Sequence, residues 1–297
     1  MMRSTPSSAS WPAAAERGRW LDRLLALSAL LTALIFVAIL VLLAAHALPF
    51  VLTHGADLLS PHAAWAPLEG SFGMLPMVAG TLLVALLALV IAAPLSLLAA
   101  AWLQLFAPPQ VAAAVRALLE LMAGIPSVVY GLWGLLFLVP LINAVAPPGA
   151  SWLAASLVLA LMIAPLALLL ADAAFSRYPV AQRQAAWALG VSRWGLFRRL
   201  MLPHAGSAVF TALVLQFGRA VGETMAVLMV AGNVVQWPDS VFAPIRTLTA
   251  NIALEMAYAT GDHRAALYAA GLLLTLVVTA LLALIRYFAR GGAHVAG

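Results

Sequence analysis

The sequence predicts an all-α integral membrane protein with six transmembrane helices. Of its 297 residues 65% are hydrophobic and only 8% are charged, whereas about a quarter are charged in a typical soluble domain. Several apolar runs exceed the roughly 18 to 20 residues that cross a bilayer as a helix, and the alternating pattern of an outer-membrane strand is absent. Helices, which satisfy their own backbone hydrogen bonds, are therefore the predicted spanning elements.

The apolar runs define the six predicted spans, with boundaries good to about four residues. They cover Leu24 to Ala45, Pro76 to Leu103, Ala117 to Ile142, Trp152 to Ala171, Ser207 to Ala231, and Ala266 to Phe288. The first run follows arginines and ends near a small-residue triplet, as a signal peptide does. Its apolar part is longer than the about 7 to 15 residues of a signal h-region, so we predict an uncleaved first helix.

The distribution of arginine predicts the orientation of the spans. All 15 basic residues are arginines. Twelve precede the first span, lie at the C-terminal end of the chain, or lie between the second and third or the fourth and fifth spans: Arg3, Arg17, Arg19, Arg23, Arg116, Arg177, Arg183, Arg193, Arg198, Arg199, Arg286 and Arg290. Arg219 lies within the fifth span. The opposite loops hold only Arg246 and Arg264, so the positive-inside rule places both termini in the cytoplasm. Since the arginines follow the membrane boundary and form no single patch, a nucleic-acid partner is not indicated.

The predicted organisation has four parts, and no metal site is among them. Residues 1–23 form a cytoplasmic tail, 24–69 the first helix and an external loop, 70–290 the main transmembrane domain with a cytoplasmic segment at about 172–205, and 291–297 a C-terminal tail. Residues 1–16, rich in Ser, Pro and Ala, are predicted to be loosely ordered. His46, His54 and His62 are spaced by eight residues, which favours exposed loop histidines over zinc ligands. The absence of cysteine excludes thiolate ligands and disulfides.

The third span contains an irregular stretch, GIPSVVYGLWG, at residues 124–134. Membrane helices tolerate glycine and proline where neighbours or water satisfy the freed backbone groups. A break that lines a cavity fits this stretch, and so does close helix packing through the glycines; the sequence leaves both interpretations open. The candidate residues of the flexible or cavity-lining stretch are Gly124, Pro126, Ser127, Tyr130 and Gly131.

The fifth span carries two charges, Arg219 and Glu223, near its middle. Each would cost roughly 2.5 to 3.5 kcal/mol at the centre of a membrane helix, and a continuous helix would place both on one face. A buried ion pair that fixes helix packing is one interpretation. The other is a substrate path or gate, because ionisable groups at this depth usually face water or the interior of a bundle. We take Arg219, Glu223 and the adjacent Thr224 as candidates for this path or gate.

The segment from Gln184 to Pro203, between the fourth and fifth spans, reads as a short helix, a glycine turn and a basic amphipathic helix stopped by proline. It could enter a groove on a partner protein or lie flat on lipid headgroups. The segment resembles the EAA loop of ABC-importer permeases, which contacts the partner ATPase. Ala185, Ala186, Gly190, Leu200, Leu202 and Pro203 match that pattern, whereas Gln184 stands where glutamate is usual.

Three longer stretches narrow the resemblance. AGIPSVVYGLWGLLFLVP (123–140), FGRAVGETMAVLMVAGN (217–233) and FAPIRTLTANIALE (242–255) are similar to phosphate importer permeases of the PstC type, and the likeness covers about residues 70–290. It implies an ABC-importer permease architecture in the inner membrane. The implied partners are a PstA-like second permease, a PstB-like ATPase dimer that binds ATP-Mg, and a PstS-like phosphate-binding protein. No cofactor is expected on this chain, and Arg219 and Glu223 match residues implicated in transport.

Other functions remain open at this stage. A permease for sulfate or molybdate would have the same architecture, a secondary transporter could carry a proton on Glu223, and a scaffold would use the two charges for packing only. An enzyme is not expected, because the spans hold no serine-histidine-acid or metal constellation. The chain also has no lysine for a P-loop, so ATP hydrolysis is expected on a partner.

Overall fold

The computed structural model describes residues 12–61 and 64–293, most of which are helical. Four helices are long and apolar enough to cross a membrane, and two bent pairs of helices pass the same test when each pair is taken as one span. The all-α membrane fold is therefore confirmed, and six spans result when both bent pairs are counted.

The elements follow one another along the chain with short connections. They are α1 (Pro12–Leu58), β1 (Trp65–Ala66), β2 (Ser71–Phe72), α2 (Leu75–Leu105), α3 (Pro109–Ala123), α4 (Ser127–Trp133), α5 (Val139–Asn143), α6 (Trp152–Ser176), α7 (Val180–Ala188), α8 (Arg193–Leu196), α9 (Leu202–His204), α10 (Gly206–Val221), α11 (Met225–Val230), α12 (Leu248–Glu255) and α13 (Gly261–Ala293). Strands β1 and β2 form an antiparallel hairpin. Short π-helical turns at Gly134–Leu138 and Phe197–Met201 join α4 to α5 and α8 to α9.

Helix α1 is longer at both ends than the sequence predicted. It begins at Pro12, inside the segment predicted to be loosely ordered, and continues to Leu58. The prediction that His46 and His54 lie in an external loop is therefore wrong, because both lie on α1. His62 is outside the described residues, so its prediction is not addressed.

Packing at the C-terminal end of α1 explains the added length. Ala47 and Phe50 are buried, and the Phe50 ring meets the Phe72 ring of β2 edge to face, with centroids 5.0 Å apart. This tertiary contact outweighs the local effect of Pro49 within the helix. Most large apolar side chains from Trp20 to Val41 are instead exposed, as expected of a surface that faces lipid or another membrane subunit.

Hydrogen bonds between α2 and α6 show that these two helices run parallel. Ser96 Oγ donates to Ala164 O at 3.1 Å, and Gln104 Nε2 donates to Asp172 Oδ1 at 2.8 Å. In both pairs the acceptor lies 68 residues further along the chain. Because the offset in residue number is the same for both pairs, α2 and α6 run in the same direction. The chain between them must therefore cross back once.

Helices α1 and α13 run antiparallel. The His46 and Tyr268 rings have centroids 4.7 Å apart, and Leu43 lies next to Gly271. Between these two contacts the residue number decreases along α1 and increases along α13. The N-terminal end of α1 and the C-terminal end of α13 therefore lie on the same side of the molecule. This is the arrangement expected for an even number of spans.

Three clusters of buried apolar side chains follow one another along α2. Met77 belongs to the cluster at the N-terminal end of α2, together with residues of α1, β2, α12 and α13. Val84 belongs to the central cluster, and Leu105 to the cluster that also contains Phe175 and Leu196. We call the two ends of the molecule the hairpin end, near Met77, and the segment end, near Leu105. Helix α2 connects them.

Candidate functional site

The third predicted span is broken at its irregular stretch. The helical segments Pro109–Ala123 and Ser127–Asn143 meet at 94°. Pro126 precedes α4 with an extended backbone, which is incompatible with a continuous helix. Tyr130 Oη donates a 2.9 Å hydrogen bond to Met122 O and so spans the break. The break is present where the sequence indicated it; its part in transport remains a prediction.

Close packing accounts for the other glycines of this stretch. A Cβ atom on Gly131 would lie 2.8 Å from Ala226 Cα, and one on Gly134 would lie 2.5 Å from Val158 Cγ2. Both glycines are buried, so they permit α11 and α6 to approach. Gly124 is exposed, and its nearest neighbour would be 3.4 Å away. The packing interpretation is therefore confirmed for Gly131 and Gly134 and not for Gly124, while the lining of a cavity stays a prediction.

The fifth predicted span is also interrupted, which corrects the expected geometry of Arg219 and Glu223. Helix α10 ends at Val221, and α11 begins only at Met225. Arg219 thus lies in the last turn of α10, whereas Glu223 lies in a non-helical connection. The two side chains do not share one helical face, and no ion pair joins them in the described part of the chain.

Bonds made by Glu223 explain why the helix ends here. Glu223 Oε1 accepts a 3.2 Å hydrogen bond from the Ala226 N–H, which satisfies a free donor at the start of α11. The main-chain oxygen of Glu223 accepts a 2.8 Å bond from Thr249 Oγ1 of α12. Thr224 makes a weaker contact, 3.5 Å from its Oγ1 to Gly222 O. Capping and cross-linking of the connection replace the continuous helix that we expected.

Arg219 lies near the point where the two interrupted spans meet, because Gly131 of α4 packs against Ala226 of α11. Its side chain is exposed and makes no hydrogen bond or ion pair with any described residue. A Cβ atom on the adjacent Gly218 would have no neighbour within 4 Å. A guanidinium with no partner among the described residues is therefore accessible at the end of α10, close in sequence to the contact of α11 with the third span. Such a group can bind an anion through charge-assisted hydrogen bonds.

A polar cluster at the hairpin end was not predicted from the sequence. The Glu255 carboxylate, in a side chain only 9% exposed, accepts a 2.6 Å bond from Arg246 and a 2.9 Å bond from Trp65 Nε1, and it lies 2.8 Å from His263 Nε2. Arg246 also donates to Asn233 O at 2.8 Å. Trp65 lies 190 residues from Glu255 and gave no signal, whereas Arg246 and His263 lie nine and eight positions from Glu255, a spacing that could have suggested an ion pair. The cluster joins the hairpin to the segments that follow α11.

A cavity of about 740 Å³ opens beside this cluster. Glu255 and Asp262 both contribute to its wall, together with His54 and Tyr258. Two carboxylates in one wall disfavour an anionic ligand. Of the two polar regions, the one around Arg219 is therefore the better candidate for an anion path.

The segment from Gln184 to Pro203 has the helix, glycine turn and second helix that the sequence predicts. Helix α7 carries the Gln-Ala-Ala triplet, and Gly190 has φ of 74°, a left-handed value that glycine adopts without strain. The predicted stop at Pro203 is confirmed, because the helical residues run from Arg193 to His204 and the chain then bends by 75° before α10.

The surface of this segment is exposed and combines apolar with charged groups. Gln184 and Ala185 are exposed, whereas Ala186 is buried against the protein. Trp187 and Leu189 expose 45% and 83% of their surface, and the nearby arginines Arg198 and Arg199 are exposed too. Exposed apolar side chains next to charges are typical of a protein contact surface.

Comparisons with known proteins agree on one family. The family model for a binding-protein-dependent transport system inner membrane component matches residues 92–291. The phosphate transport system permease protein PstC of Pasteurella multocida is 34% identical over 246 residues, which cover 76% of this chain and 77% of that protein. PstC of Haemophilus influenzae is 32% identical over 292 residues, which cover 90% and 92%. A probable ABC transporter permease of Bacillus subtilis, YqgH, is 37% identical over 229 residues, which cover 75% and 74%.

Solved structures show the same fold. A chain of a bacterial ABC transporter involved in alginate import matches with a TM-score of 0.67 at 16% identity, covering 92% of this chain and 96% of that chain. A chain of the methionine ABC transporter MetNI, in an inward-facing conformation, matches with a TM-score of 0.59 at 18% identity, covering 73% and 94%. At these identities the likeness concerns the fold.

Proposed function

This chain belongs to the binding-protein-dependent transport system inner membrane components and, within them, to the PstC phosphate permeases, and we propose that it forms the translocation pathway of an ATP-driven phosphate importer together with a second permease. The substrate is assigned from the relatives, which are named for phosphate transport. Membership of the family makes this chain a multi-pass component of the inner membrane.

The single observation that carries the pathway assignment is the exposed Arg219, which has no bonding partner among the described residues and precedes the contact of α11 with the broken third span. Hydrated phosphate must exchange water for protein groups as it crosses the membrane. A guanidinium offers it up to two parallel hydrogen bonds and a full positive charge. Glu223 lies four residues further along the chain and lowers the local positive potential, which would keep phosphate from binding too tightly to leave.

The energy for transport comes from another polypeptide. A P-loop requires a lysine, and this chain has none. We assign ATP-Mg to a PstB-like ATPase dimer that contacts the exposed surface of Gln184 to Pro203. That assignment places this segment, and with it both termini, in the cytoplasm, in agreement with the positive-inside rule.

The remaining partners follow from the same architecture. A PstA-like second permease would complete the pathway, and a PstS-like protein would deliver phosphate at the hairpin end. The exposed apolar surface of α1 is available for the second permease or for lipid. The proposed mechanism is alternating access, in which closure of the ATPase dimer moves the Gln184 to Pro203 segment and opens the pathway to the other side.

Uptake of radiolabelled phosphate tests this function in cells that lack their own phosphate importer and express the whole complex. We expect ATP-dependent uptake that persists when a protonophore collapses the proton gradient while ATP is maintained. Uptake abolished by the protonophore alone would identify a proton-coupled transporter instead. Inhibition of phosphate uptake by excess sulfate or molybdate, together with direct uptake of that anion, would identify that anion as the substrate in place of phosphate.

A further inference from the structure

Three consecutive residues at the C-terminal end of α2 hold both ends of the segment that contains α7. Gln104 Nε2 donates to Asp172 Oδ1 at 2.8 Å, before α7. Arg193, after α7, donates from its NH1 to Leu105 O at 3.0 Å, and its guanidinium carbon lies 5.6 Å from the centroid of the Phe106 ring. Residues 172–193 are thus connected at each end to the same turn of α2.

The Asp172 contact also includes α3. Arg116 donates to Asp172 Oδ2 from Nε at 2.7 Å and to Oδ1 from NH2 at 3.1 Å, a bidentate arrangement. Asp172 itself is only 7% exposed, so its charge is held by the protein rather than by water. One carboxylate therefore joins α2, α3 and α6 directly before the chain leaves α6 for α7.

The Arg193 contact uses properties that are specific to arginine. Leu105 O belongs to the last turn of α2, where carbonyl groups have no partner within the helix and a positive charge is favoured. The flat guanidinium can donate to this oxygen while it packs over the Phe106 ring. Lysine could make the hydrogen bond but would pack less well on the ring.

A rigid core lies beneath both contacts. Phe175, Tyr178 and Leu196 are buried in the same apolar cluster as Leu105, and the Phe175 ring meets Phe197 edge to face at 5.3 Å. At the hairpin end, Thr81 Oγ1 of the same α2 accepts a 3.0 Å bond from the Leu248 N–H. Helix α2 thus has direct contacts both with the segment around α7 and with α12, whose Thr249 holds Glu223.

We propose, building on the proposed function, that Arg193 and Asp172 are positioning residues that couple ATP hydrolysis to transport. They fix the ends of the ATPase-contacting segment to Gln104, Leu105 and Phe106, so a displacement of α7 moves α2 with it. Without Arg193 the turn at Gly190 would let α7 move without α2. ATP would then be hydrolysed with less phosphate carried.

The test measures phosphate uptake and ATP hydrolysis together in proteoliposomes that contain the whole importer and the phosphate-loaded binding protein. For Arg193→Ala we expect ATP hydrolysis to continue and the phosphate uptake per ATP hydrolysed to fall. The expected fall is about fivefold or more, since about fivefold is the lower end of typical coupling effects between two sites. Asp172→Asn should lower the same ratio, and Arg193→Lys should restore part of it. The matched control is Arg177→Ala, since Arg177 is exposed in the same segment and makes no side-chain bond with any described residue.

An unchanged ratio in assembled Arg193→Ala and Asp172→Asn complexes would overturn this proposal. If Arg193→Ala does not assemble, Phe106→Leu decides, because it removes the ring and keeps the Leu105 carbonyl acceptor; an unchanged ratio there also overturns the proposal. The two proposals fail in different ways. Absence of phosphate uptake by the unaltered complex contradicts the phosphate function, whereas normal uptake with unchanged ratios contradicts only the coupling role.

Discussion

Thr249 Oγ1 donates a 2.8 Å hydrogen bond to the main-chain oxygen of Glu223. The bond joins the first turn of α12 to the connection between α10 and α11, and Thr249 is only 6% exposed. The interruption next to Arg219 is therefore held by a specific buried bond. Its position relative to Arg219 is part of the fold rather than a consequence of a weak helix.

Replacing Thr249 by valine should loosen this connection. The change keeps the shape of the side chain and removes the donor, which leaves a carbonyl without its partner and should cost about 1 to 2 kcal/mol. We expect a lower thermal unfolding temperature of the purified complex and reduced phosphate uptake. Thr211→Val is the control, because among the described residues Thr211 bonds only to Ser207 O, within its own helix. Equal effects of the two substitutions would contradict a special role for the Thr249 bond.

Replacing Glu255 by glutamine should destabilise the hairpin end. The substitution removes the charge that Arg246 and His263 face, and the loss of a charged hydrogen bond should cost about 2 to 3 kcal/mol. Thermal unfolding of the complex measures this effect. Glu69→Gln is the control, since Glu69 is exposed in the same region of the molecule. An unfolding temperature equal to that of the control would show that the cluster contributes little to stability.

Replacing Gly134 by alanine should disturb the contact of the third span with α6 and α11. The added Cβ would lie 2.5 Å from Val158 Cγ2 and 3.0 Å from Val230 Cγ1, both in the buried core. Overpacking of this kind typically costs about 1 to 3 kcal/mol. Gly206→Ala is the control because nothing lies within 4 Å of its added Cβ. Comparison of the yields and unfolding temperatures of the two variants measures the difference, and equal stability would refute the packing role of Gly134.

Replacing Gln184 by glutamate should preserve or raise ATP-coupled uptake. Gln184 is exposed on α7, at the position where the EAA pattern that this segment resembles has glutamate, so the substitution introduces a charge available to the proposed ATPase. Uptake assays combined with co-purification of the ATPase measure the effect. Gln182→Glu, an exposed glutamine on the same helix, controls for added charge alone. Loss of ATPase co-purification specific to Gln184→Glu would show that the contact of this chain differs from that of its relatives.

The sequence predicted the elements that depend on local composition and missed those that depend on distant contacts. Long apolar runs predicted α2, α6 and α13, and the glycine and proline near residue 124 indicated a break in the third span as one of two interpretations. Gly190 likewise predicted the turn after α7. Each of these signals acts within a few residues of its own position.

The missed features arise from bonds between residues far apart in the chain. The interruption after Val221 depends on Thr249, and the extension of α1 depends on Phe72. The Glu255 cluster includes a bond to Trp65, which lies 190 residues away. Hydropathy within a window contains no information about such partners. The four-residue spacing of Arg219 and Glu223 likewise holds no information about distant partners. It therefore favoured the placement of both side chains on one face of a continuous helix.

Phosphate uptake by the Arg219→Ala variant tests the claim that Arg219 takes part in phosphate passage. The measurement uses cells that lack their own phosphate importer and express the whole complex, with assembly checked by co-purification of the ATPase. Glu223→Ala and the double variant are measured in parallel, and Arg23→Ala, an exposed arginine on α1, is the control. We predict normal assembly with uptake reduced by about tenfold or more in Arg219→Ala, the size expected when a charged hydrogen bond is lost. Normal uptake by an assembled Arg219→Ala complex would contradict the claim.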